Sequence, residues 1–235
     1  MDNLAEYYSD NVGLRMLLQL DPSGIGGAID IYLSDMFEKY KKKRAREFFS
    51  KIASKNVVIT DEMINSDDFL FAFFSTTNAV FNTNKKEKID LFANLLVHGI
   101  NYRDYGSSKY EQYLSIIEEV TYMELQILET LFRFEKKYID KTFGVKEDGK
   151  QSNKLQKANV FWEEFEKTIQ TDLEISSDLL QGILTRLNRT GLYETIVGSF
   201  WDYTGGRGNT TSLYVDFRNW VIEIHKPQDE TSPST

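Results

Sequence analysis

Two constellations of cations hold most of the chemistry that this sequence offers. The first is the run Lys39, Lys41, Lys42, Lys43, Arg44, Arg46, Lys51 and Lys55, opposed nearby only by Glu38 and Glu47. Eight cations in so short a stretch create a local field suited to phosphates, anionic lipid or an acidic protein surface. The same run also fits a solvated helix face neutralised by acids elsewhere, with Asp67, Asp68, Glu118 and Glu119 as the nearest candidates. The second constellation is Gln181, Thr185, Arg186, Asn188 and Arg189, with Arg207 further along. These side-chain types read base edges and phosphates when a helix presents them to a groove. Against that use, Asp172, Glu174 and Asp178 crowd the start of the segment, and acids outnumber bases from there to Lys226. Nucleic-acid affinity rests on phosphate neutralisation, so this balance favours a protein partner over DNA.

Catalytic patterns are absent from the sequence. His98 and His225 are the only histidines, far apart and without a partner at metal-ligand spacing. Glu118-Glu119 and Glu163-Glu164 are neighbours on helical segments, where adjacent side chains point apart. Ser23-Gly24-Ile25-Gly26-Gly27 precedes a helix but lacks the Lys-Ser/Thr of a phosphate-binding loop, so it reads as a tight helix entry. Cysteine is missing, which excludes disulfide scaffolds, thiol nucleophiles and cysteine metal sites. The expectation is a non-enzyme without cofactor or metal. A net charge of -8 means that any contact with a polyanion must come from a local basic patch. Met1 to Asp10 is acidic without an apolar core, and no apolar run approaches the ~20 residues that span a bilayer, so a cytoplasmic protein is expected.

Apolar periodicity supplies the elements that position these residues. Asn3 to Leu20 reads as a helix. Ala28 to Lys55 is the longest helical signal, with Ile29, Leu33, Met36, Phe37, Tyr40, Phe48 and Ile52 at three- and four-residue steps. Shorter helices follow: Asp67–Phe81 capped by Ser66, Lys85–His98 capped by Asn84 and stopped at Gly99, and Lys109–Val120 entered from Ser107 or Ser108. Thr121–Tyr138 is amphipathic. Lys141–Lys157, with Gly144, Gly149, Ser152 and Asn153, reads as an exposed loop before a short helix at Val160–Ile169. Ser176 or Ser177 caps Asp178–Arg189. The period then shortens to two: Leu192–Val197 and Thr211–Val215 read as a hairpin about the glycines near Gly205-Gly206, with Phe217–His225 as a closing helix. Residues 227–235 read as a disordered tail.

The stretch from Ser176 to Val215 resembles the recognition helix and wing of winged-helix domains, with Met123–Leu131 similar to their first helix. Gly191 releases the chain from the helix in a left-handed turn and Leu192 tucks beneath it. The expected architecture is mainly α: an N-terminal helical bundle, residues 1–120, packed on a winged-helix-like domain with a small β-hairpin, residues 121–226. Gly26-Gly27 before a long helix, Arg44 to Phe49, Lys85 to Gly99 and Leu187 to Leu192 together resemble bacterial proteins of the Abi-alpha type, associated with abortive infection. That resemblance implies an accessory role in phage defence and assigns no site residues. The functional expectation is a regulatory or accessory protein that binds a protein partner, with a winged-helix DNA-binding regulator as the alternative. The candidate contact residues are Lys39, Lys41, Lys42, Lys43, Arg44, Arg46, Arg186, Arg189 and Arg207.

Overall fold

A computed structural model of the protein describes residues 30–138, 150–196 and 206–223, with the backbone alone for 30–38 and 150–154. The expected first helix, the Ser23-to-Gly27 entry, the turn at Gly205, His225 and the tail lie outside the described residues. The described chain is mainly helical, with one small two-stranded antiparallel sheet. It divides into two compact units: residues 1–118 with 220–235, and residues 119–219.

The first unit contains α1 (Asp30–Ala53), α2 (Asp61–Ile64), α3 (Asp67–Asn82), α4 (Lys86–Tyr102) and α5 (Ser108–Glu119). The short α2 was not expected; Thr60 starts it by accepting from the Met63 amide. Ser66 caps α3 as its sequence requires, accepting from the Phe69 amide. The core is aromatic: Phe49 stacks on Phe73, and Phe69 meets Tyr105 edge-on. Tyr110 is buried with its hydroxyl 2.6 Å from that of Thr76, and burial pushes its phenol up. Gly99 does not stop α4. It lies inside the helix, where an added Cβ would come within 2.9 Å of the Tyr110 ring, so the glycine makes room for that ring. The helix ends four residues later at Arg103, in the left-handed region with φ 52.

The second unit contains α6 (Tyr122–Lys137), α7 (Lys150–Leu173), α8 (Ser177–Arg189), β1 (Tyr193–Thr195), β2 (Gly208–Thr210) and most of α9 (Ser212–Val221), whose Trp220 and Val221 are assigned to the first unit. Thr121 and Glu124 form a capping box at the start of α6. The expected loop at Lys141–Lys157 is corrected from Lys150 onward, because α7 starts there. Leu155 and Ala158 continue the apolar spacing of Phe161, Trp162, Phe165 and Ile169, and all six are buried. Ser176 caps α8, accepting from the Leu179 amide.

The strands pair with Tyr193 opposite Thr210 and Thr195 opposite Gly208. A Cβ at Gly208 would lie 2.2 Å from the Tyr193 ring, so this position requires glycine. The return strand is earlier than expected: Thr211–Val215 opens α9 instead. Thr211 ends the strand and begins the helix at once. Its amide donates to the Leu192 carbonyl, its hydroxyl donates to the Gly191 carbonyl, and the same oxygen accepts from the Tyr214 amide. Gly191 takes the left-handed turn expected of it, at φ 75.

Candidate functional site

The basic run lies on α1, whose rotation of ~100° per residue distributes its cations around the helix. Phe48, Phe49 and Ile52 fill the core side. Arg44 is corrected from an exposed contact to a buried residue, 8% exposed, because it follows Tyr40 and precedes Phe48 at four-residue steps. Its Nη2 donates to the Asn84 carbonyl at 3.0 Å, and its guanidinium stands 5.1 Å over the Tyr40 ring. Tyr40 in turn donates its hydroxyl to the Thr83 carbonyl at 2.9 Å. Arg44 Nη1 is buried without a hydrogen-bond partner.

Further along α1, Lys51 is ion-paired with Asp90. Burial lowers the Lys55 ammonium, Asp90 opposes that shift, and Lys51 adds to it. Lys39 and Lys41 are also engaged. Lys42, Lys43 and Arg46 are exposed and carry no ion pair among the described residues. Among the described residues the acids expected beside the run, Asp67, Asp68, Glu118 and Glu119, form no ion pair with it, whereas Asp90 pairs with Lys51.

The segment that receives Tyr40 and Arg44 leads directly into α4. Asn84 was expected to cap this helix, but the N-cap is Lys85, whose side chain makes no capping hydrogen bond. Lys85 and Lys86 are both exposed.

The candidate groups of the second unit are mostly bound within it. Arg186 Nε lies 3.3 Å from the buried Glu124 carboxylate, and Nη2 donates to the Glu119 carbonyl at 2.9 Å. Arg207 donates to the side-chain oxygen of Asn159. Gln181 reaches Glu166 at 3.4 Å, and the Asn188 side chain accepts from the Thr195 amide. Arg189 alone of the proposed cations in this unit is exposed without a partner among the described residues. One strip of α8 is apolar or small: Leu179 is 51% exposed, Ile183 is half-buried, and a Cβ at Gly182 would meet nothing within 4 Å, while the other exposed residues of the helix, Ser177, Asp178, Thr185, Arg186, Asn188 and Arg189, are polar.

Sequence reading missed a polar network inside this unit. Glu129 accepts two hydrogen bonds from Arg218, at 2.8 and 2.9 Å, and a third from the Tyr214 hydroxyl at 3.0 Å. The Arg218 guanidinium also stands 4.7 Å over Phe132. Burial pushes the Tyr214 phenol up, and the Glu129 carboxylate adds to that shift. One helical turn and a half along α6, Glu135 accepts from both the amide and the hydroxyl of Thr210. Burial raises its carboxyl to about 7, against the lowering effect of those two hydrogen bonds. No local signal set Glu129 and Glu135 apart from the other polar residues of this amphipathic helix, such as Glu124, Gln126 and Arg133.

Among the described residues no group of three His, Asp or Glu side chains is placed to hold a metal ion, and no helix is long and apolar enough to cross a membrane. Comparison with known proteins finds no matching family model, no matching curated protein and no matching solved structure.

Proposed function

We propose that the protein is a non-enzymatic accessory or regulatory component that works by binding a protein partner through its second unit. In this reading α8 and the strand pair form a winged-helix-like module whose helix docks against protein. The observation that carries it is the outer surface of α8. Glycine inside an exposed helix costs about 1 kcal/mol relative to alanine, and nothing within the unit occupies the space beside Gly182. Leu179 and Ile183 flank that gap. A partner helix could approach the backbone closely there and bury both side chains. The resemblance to abortive-infection proteins fits an accessory role of this kind in phage defence.

The second reading, DNA binding by the same helix, is favoured by Arg189 alone, since Arg186 and Arg207 already have acceptors. Capture from the native host with wild-type protein, Leu179→Asp and Gly182→Glu separates the two. A protein retained by wild type and lost with both variants, while their melting temperatures hold, supports the protein-docking reading. Duplex DNA binding that disappears with Arg189→Glu and survives Gly182→Glu overturns it.

A further inference from the structure

We infer that the partner of the α8 face is a second copy of this chain, packed antiparallel on it about a two-fold axis. The inference rests on the reading of α8 as a docking helix and names its occupant.

At ~100° per residue, Asp178, Gly182, Thr185 and Arg189 fall within about 60° of one another around α8. All four are exposed, and Leu180, Leu184 and Leu187, on the opposite side of the helix, are buried. The four therefore mark the outermost line of α8, and all belong to one compact unit. The middle of that line is small. A Cβ at Gly182 would meet nothing within 4 Å, and the Thr185 hydroxyl already donates to the Gln181 carbonyl at 2.9 Å. Its ends carry opposite charges, Asp178 in the first turn and Arg189 at the last residue of the helix. Neither forms an ion pair among the described residues.

This order is complementary to itself when reversed. Laid antiparallel on a second α8, Asp178 meets Arg189 of the other copy at both ends of the contact. Gly182 meets Thr185 of the other copy on either side of the axis, where small residues let the two backbones approach. A parallel arrangement would set Asp178 against Asp178 and Arg189 against Arg189, so the charges select the antiparallel one. Leu179, 51% exposed, borders the line. The two-fold keeps both copies of it on one edge of the contact, where the second helix shields them from water.

A two-fold interface uses the same patch on both chains, so that patch must match itself. A foreign partner imposes no such requirement. One helix on one helix is small beside a standard interface, so the association is weak and depends on concentration.

The test is sedimentation equilibrium of the full chain up to about 100 μM, which reveals any association tighter than that. Wild type is expected to approach twice the mass of one chain as concentration rises. Asp178→Arg and Arg189→Asp each set like charges together at both ends and should weaken self-association about tenfold or more. Mixed in equal amounts, the two variants should associate again, because each then meets opposite charge at both ends. Recovery on mixing separates the pairing from a loss of folding in either variant. A monomeric wild type at the highest concentration overturns the inference. So does self-association that both reversals leave intact, or a mixture no tighter than either variant alone. If wild type is monomeric and a different host protein is captured by it and lost with Gly182→Glu, α8 remains a docking helix and only the occupant inferred here is wrong. If wild type is monomeric and no captured protein is lost, the docking reading falls as well.

Discussion

In the second unit Arg186, Arg207 and Arg218 each end on an acceptor of that unit, two of them on the carboxylates of Glu124 and Glu129. In the first, Lys42, Lys43 and Arg46 project from α1 with no carboxylate bound to them among the described residues. The difference follows from where the acids sit. Glu124 is 3% exposed, and Glu129, 28% exposed, accepts from both Arg218 and Tyr214. A carboxylate taken out of water needs a cation or several donors, so nearby arginines become parts of the fold. The acids nearest α1, such as Asp90, remain largely in water and make no such demand beyond Lys51. A cation's type therefore says little about its use; a buried carboxylate beside it, as at Glu124, draws it into the fold.

The largest effect expected from this comparison is at Glu129. Glu129→Ala leaves Arg218, only 13% exposed, without its carboxylate and removes the acceptor of the Tyr214 hydroxyl. Leaving a part-buried charged donor without its acceptor costs about 2–3 kcal/mol, read as a lower urea midpoint followed by tryptophan fluorescence. A loss comparable to that of an exposed ion pair would mean that the network is ornamental and the contrast between the units is weaker than drawn.

Glu135 gives an effect of similar size, with a definite sign in pH. Its folded carboxyl is raised to about 7 from 4.5. Between these values the folded state holds a proton that the unfolded state has released, so stability falls as pH rises. The contribution is fully present below about pH 4.5 and gone above about 7, on the order of 3 kcal/mol in all. Glu135→Gln should flatten that part of the stability–pH curve, since the amide oxygen still accepts from Thr210. A slope unchanged by the substitution would place the titrating group elsewhere.

Arg186→Gln should cost less, about 1–2 kcal/mol, because Arg186 is half exposed and Glu124 keeps its bond from the Thr121 amide. Its urea midpoint should move down while any oligonucleotide binding stays as it was. A gain or loss of nucleic-acid affinity without a change in stability would return Arg186 to the surface as a ligand contact.

Local signals carried most of the helices. Ser66 and Ser176 each cap where a hydroxyl precedes an apolar-periodic run, and the long α1 follows its stripe from Asp30 to Ala53. What failed was tertiary in origin. Gly99 reads as a stop until Tyr110 is known to lie on it. Thr211 reads as strand until its hydroxyl is seen bridging Gly191 and the Tyr214 amide. Lys150 to Lys157 reads as loop because Ser152 and Asn153 mask the apolar spacing that Leu155 and Ala158 begin. The site was half legible: the run of cations is plain in sequence, and the four-residue step from Tyr40 through Arg44 to Phe48 already points Arg44 inward. The joining of α1 to the residues before α4 depends on contacts between distant residues and has no local signal.

The most direct measurement of how the two units use their cations is the urea midpoint. It compares wild type with two sets of neutral substitutions. Replacing Lys42, Lys43 and Arg46 by Gln should leave it unchanged, since these exposed cations carry no ion pair among the described residues. Replacing Arg186 and Arg218 by Gln should lower it by more than Arg186→Gln alone, since each is held by a carboxylate of its unit. A midpoint that falls with the first set and holds with the second would contradict the account.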